Sequence, residues 1–98
     1  MYQRDSNSVV RINPDTNGFE GTAISVGLAP VGIVYNPTNK NMYVANSDSN
    51  TVSVIGPTNS VIATIPTGLN PIGIAYNSDN RHIYVTNFGS NTVSVIHP

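Results

Sequence analysis

The 98-residue sequence contains neither cysteine nor tryptophan. Without cysteine there are no disulfides, no thiolate metal sites and no cysteine nucleophile. Charge is scarce too: Lys, Arg, Asp and Glu make up 9% of the chain and leave a net charge of −1, where ordinary domains carry about 25% charged residues. So little positive charge displaces few counterions from a phosphate backbone, and nucleic acid is not an expected partner. Good helix formers (Ala, Leu, Glu, Lys, Gln, Arg, Met) number only 15, two of them Leu. No apolar run approaches the roughly 18 residues of a spanning helix, so no membrane span is expected. The opening Met1-Tyr2-Gln3-Arg4-Asp5 is polar and does not read as a secretory leader; an export signal is expected outside this segment. None of the 14 Asn stands in an Asn-x-Ser/Thr acceptor with a permitted middle residue, which argues against N-glycosylation here.

What is abundant is β-branched and turn-forming. Val, Ile and Thr number 31, and Asn, Ser and Thr together 33. β-Branched side chains lose rotamer freedom in helices and pack well on pleated sheets, so an all-β chain is expected. Shifted by 41 residues, the sequence matches itself: residues 30–57 and 71–98 agree at 17 of 28 positions. A partial third copy opens the chain, where Ser6 to Pro14 echoes Ser49 to Pro57, two residues out of phase, with the extra two residues in the 17–21 region.

Within the complete unit, apolar runs at 32–35, 42–45, 51–55 and 61–65 are separated by clusters of Asn, Asp, Ser, Gly and Pro. Strands about ten residues apart with turns between them indicate an antiparallel meander. Alternation inside the runs is imperfect, as in Val52-Ser53-Val54-Ile55, which suits sheets covered on both faces. Four-stranded units of period near 40, covered on both sides, describe β-propeller blades. A β-solenoid is the competing architecture, but its rungs are shorter and its connections less rich in Pro.

Ile83-Tyr84-Val85-Thr86-Asn87, followed by Ser90-Asn91-Thr92-Val93-Ser94-Val95-Ile96, closely resembles the YVTN-type β-propeller repeat. Pro71-Ile72-Gly73-Ile74-Ala75 and Val61-Ile62-Ala63-Thr64-Ile65-Pro66-Thr67-Gly68 complete the resemblance. It departs at Gly56 and His97, where the family commonly has Asp, at Ala45 in place of Thr, and at Val10-Arg11 in the opening copy. The resemblance implies a cell-surface or extracellular protein of the surface-layer kind, and blades whose first strand lines a central channel. In that order the expected parts are a partial blade at 6–26 (strands 9–12 and 22–26), a complete blade at 30–66 and a three-stranded partial blade at 71–97. Nine strands, about two blades, cannot close a propeller of about 4–8 blades. The ring is then expected to be completed by missing repeats or by self-association, as a closed ring or a head-to-tail polymer.

Candidate chemistry is thin. His82 stands where the preceding unit has Asn41, and His97 at the chain end; each reads as a surface histidine, with a metal ligand or general base as the sharper alternative. Of the acids Asp5, Asp15, Glu20, Asp48 and Asp79, Asp48 and Asp79 lie in turns, where Asp caps backbone N–H groups. Asp48 in Ser47-Asp48-Ser49-Asn50 offers oxygen to Ca²⁺, but without a run of spaced carboxylates. Paired acids for hydrolysis, a nucleophile elbow and phosphate-binding glycine loops are all missing. Tyr35, Tyr43, Tyr76 and Tyr84 recur at two repeat positions and read as packing between blades, with a sugar-binding platform as the alternative. Phe88-Gly89 is the exposed aromatic turn to test for binding. No catalytic, cofactor or metal residue is assigned. The expected function is a non-enzymatic structural or interaction module making protein or glycan contacts at its rim and loops. The alternatives are a fragment of a propeller enzyme (a lactonase-like hydrolase or metal-cofactor oxidoreductase) and an artificial or truncated chain made for repeat assembly.

Overall fold

The computed structural model describes residues 2–5, 8–11, 24–58 and 60–97, the first two segments by backbone course and pairing alone. These residues form ten strands and no helix: β1 Tyr2–Asp5, β2 Ser8–Arg11, β3 Ile24–Ser25, β4 Pro30–Asn36, β5 Asn41–Asn46, β6 Thr51–Ile55, β7 Val61–Pro66, β8 Pro71–Asn77, β9 His82–Asn87 and β10 Thr92–Ile96. Three antiparallel meanders result, β1-β2-β3, β4-β5-β6-β7 and β8-β9-β10. Where nine strands are expected, the described residues carry ten, because the polar opening segment is itself a strand. β1 pairs with β2 from Tyr2↔Arg11 to Asp5↔Ser8, as β5 pairs with β6 from Tyr43↔Val54 to Asn46↔Thr51. Tyr-Gln-Arg-Asp lacks the apolar alternation that marks a strand in sequence. Its pairing comes from the partner strand. The described part of the first sheet thus includes Tyr2–Asp5, ahead of the expected partial blade at 6–26; residues 6–7 and 12, the insertion near 17–21, Asp15, Glu20 and residues 22–23 of the expected fourth strand lie outside the described residues.

Each hairpin turn after a first strand is built twice by the same means. Asn36 Oδ1 accepts the Thr38 N–H (2.9 Å) and Asn39 Oδ1 that of Asn41 (3.0 Å); Asn77 and Asn80 do the same for Asp79 and His82 (2.9 and 3.0 Å). These Asx turns bend the chain without help from its neighbours. Lys40 and Arg81 close the two turns, each at φ 64°, donating to Asn36 and Asn77 carbonyls at 2.8 and 2.7 Å.

The middle sheet is covered on both faces, which explains its imperfect alternation. Tyr43, Val52 and Val54 form one core with Ile83, Val85 and Ile96 of the last sheet, flanked by Val34, Ile65, Ile74 and Tyr76. Val44 and Ile55, with Met42, point the other way and join Ile24 and Val26. Gly32 lets the first strands of successive sheets approach closely: a Cβ there would stand 2.7 Å from the Ile72 carbonyl oxygen. A register shift recurs in both Pro-x-Gly segments, between Pro30 and Gly32 and between Pro71 and Gly73.

Candidate functional site

At one end of the sheets, the asparagine that closes each second strand organises a polar junction. Asn46 is fully buried and donates its side-chain N–H groups to Thr51 Oγ1 (3.1 Å) and Ser53 Oγ (2.9 Å). Asn87 makes the same two bonds to Thr92 (3.3 Å) and Ser94 (2.9 Å). Ser49 and Ser90 accept the backbone N–H of Leu28 and Leu69, at 3.2 and 3.1 Å. The asparagine, serine and threonine of the repeat thus tie the turn between second and third strands to the link that enters the blade. Gly68 has no room for a side chain, since its Cβ would lie 2.9 Å from Asn87 and 2.6 Å from Ser90 Oγ.

The same turn also grips the link leaving the blade. Asn50, in the left-handed region at φ 56°, accepts the Thr67 N–H on its carbonyl (3.0 Å) and the Asn70 N–H on its Oδ1 (2.9 Å). Asn tolerates that backbone conformation better than most residues, which suits it to this position. Asn91 repeats it at φ 53°, yet among the described residues no following link meets it.

Open apolar surface surrounds Asn91. Val52 and Val54 are 0% and 4% exposed beneath the last sheet, whereas their repeat equivalents Val93 and Val95 are 58% and 47% exposed. Ile72, Thr86, Phe88, Asn91 and Val93 line a shallow, open cavity of about 390 Å³ on this face. Its Asn91 and Val93 are the repeat counterparts of Asn50, which grips the link to the last sheet, and Val52, which lies in the core shared with that sheet.

Tyr43 is buried between sheets, its hydroxyl accepting from Asn39 Nδ2 at 3.0 Å. Tyr76 reaches across to share a hydrogen bond with Thr38 Oγ1 at 3.0 Å. Tyr84 accepts from Asn80 at 2.7 Å and is partly open. Tyr35 departs from the packing expectation, being half exposed. Phe88 is 74% exposed at its turn. Asp48 and Asp79 are exposed in turns. No group of three or more His, Cys, Asp or Glu suited to a metal exists among the described residues. The two histidines, fifteen residues apart in sequence, stack across β9 and β10 with ring centroids 4.0 Å apart and 25° between planes. Sequence reading treats them separately; the hairpin register, Ile83↔Ile96, is the signal that joins them.

Residues 69–96 match the family model of the NHL repeat, a β-propeller repeat. Among solved structures the chain is similar to "Kuenenia stuttgartiensis Hydrazine Synthase", at 28% identity and a TM-score of 0.83 over 92% of this chain. The chain consists of partial and complete β-propeller blades. It spans 26% of the length of that structure. No curated protein matches the sequence. The matching repeat model is thus of the β-propeller class.

Proposed function

We propose that these blades serve as a non-enzymatic structural and interaction module of a cell-surface or exported propeller protein, of the YVTN kind. The module works by geometry: blades bury both faces of each sheet, and new blades or copies add on at the open face. One observation carries this reading. The same Thr-Val-Ser-Val-Ile strand is covered by the next sheet at β6 and open at β10 among the described residues. An apolar sheet face next to an unused Asn91 turn matches the surface that binds Thr67, Asn70, Ile83 and Val85 one blade earlier. Self-association through this face would give a ring or a head-to-tail polymer, while further blades in a longer chain would cover it internally. The rim and loops, rich in Asn, Ser and Thr, are the surface offered to protein or glycan.

Light scattering after size exclusion tests the self-association. The expected masses are multiples of the 10.4 kDa chain, rising with concentration. A well-folded monomer at every concentration overturns it.

The similarity to a structure titled hydrazine synthase supports a second reading, a piece of a propeller-bearing enzyme whose site lies in other blades. The first strands β4 and β8, which the resemblance would place at the channel, offer only Tyr35 and Tyr76 as ionisable side chains. Stoichiometric metal at the axis of a closed assembly would favour that reading over the first.

A further inference from the structure

The chain has two histidines, and the fold brings both to one spot. His82 opens β9, paired with Asn77, and the next rung pairs Ile83 with Ile96, so His97 lies directly across from His82. Ile83 and Ile96 are buried beneath them and fix the spacing of the two strands. Asn80 Oδ1 holds the His82 N–H at 3.0 Å, anchoring the strand start. The preceding blade has Asn41 and Gly56 at these two places, so the last blade differs from its sister by a matched pair of imidazoles.

We propose that His82 and His97 form a two-imidazole site for a divalent transition-metal ion of the copper, nickel or zinc class. Neutral imidazole is a borderline-soft ligand that suits these ions and not Mg²⁺ or Ca²⁺. Two metal–nitrogen bonds of about 2.0–2.1 Å at a tetrahedral angle place the ligand nitrogens roughly 3.3 Å apart. With centroids 4.0 Å apart and planes 25° from parallel, the ring lone pairs run side by side, so an ion is held only after at least one imidazole turns out of the stack toward solvent. His97 is exposed and His82 half-buried, so an ion has direct access. No third His, Asp or Glu among the described residues joins the cluster; water or a group from a partner completes the coordination, which makes the ion exchangeable. The order of affinity follows the divalent series, with Cu²⁺ strongest.

The test uses the full chain and the metals alone. Calorimetric titration with Cu²⁺ and Ni²⁺ is expected to show one ion per chain, with no comparable heat for Mg²⁺. His82→Asn and His97→Gly, each restoring the residue of the preceding blade, are expected to weaken binding at least tenfold while leaving the far-ultraviolet circular dichroism unchanged. Should either variant fail to fold, electron paramagnetic resonance of the Cu²⁺-loaded parent chain decides. Hyperfine coupling to two imidazole nitrogens from one chain supports the site. A single imidazole, single-histidine variants that bind as tightly as the parent, or no binding at all overturns it.

Discussion

The two copies of Thr-Val-Ser-Val-Ile allow one substitution to be made twice in the same protein. Val52→Ala removes two carbon groups from a site of 0% exposure inside the core shared by the middle and last blades. At about 0.8 kcal/mol per buried methylene, plus a cavity contribution, the cost is about 2–3 kcal/mol. Val93→Ala removes the same atoms from a site that is 58% exposed, so transfer alone predicts a cost of no more than about 0.7 kcal/mol. Urea denaturation at 25 °C and low chain concentration measures both. A gap of at least about 1.3 kcal/mol is expected between the two variants. Raising the chain concentration adds a second test: if another blade docks on the open face, the cost of Val93→Ala climbs toward that of Val52→Ala. Equal costs at low concentration would refute the reasoning, because they would mean that Val93 is already covered in the isolated chain.

Other expectations follow from the junctions and turns. Asn46→Ala removes the donors to Thr51 and Ser53 and should cost about 2–3 kcal/mol by urea denaturation. Asn46→Asp should cost more at neutral pH, since no cation is hydrogen-bonded there; burial raises the folded-state pKa of the new carboxyl, so the penalty fades as pH falls toward the unfolded value of about 3.9. Gly32→Ala forces a Cβ against the Ile72 backbone carbonyl and should lower stability by about 1–3 kcal/mol. Gly73→Ala meets only the Thr86 hydroxyl first, a side chain able to rotate, and the melting temperature should fall less. Lys40→Gly relieves a left-handed backbone at φ 64°, and calorimetry should register a gain of about 0.5–1 kcal/mol.

Local chemistry makes much of this fold legible in the sequence. The 41-residue repeat and the apolar runs marked the strands from β4 onward, and Asn36, Asn39, Asn77 and Asn80 mark turns because their side chains bond the backbone two residues ahead. β1 was not legible: Tyr2–Asp5 carries no apolar alternation and becomes a strand through its pairing with β2. Tyr35 and Tyr76 occupy one repeat position, yet Tyr76 packs against the middle blade while Tyr35 is half exposed. The histidine pair was hidden as well, since fifteen residues of separation signify nothing until the hairpin register sets the two strand ends side by side.

The sequence by itself determined the strand-and-turn grammar, the period, and the polar residues that weld each turn to its links, because propensity and Asx hydrogen bonding act within a few residues. Tertiary structure alone decided which surfaces are covered. β6 and β10 are the same five residues, Thr-Val-Ser-Val-Ile, and all but the first is buried in one while only the last is buried in the other. Burial belongs to the neighbouring surface and not to the strand, so identical residues are core in one blade and an open face in the next.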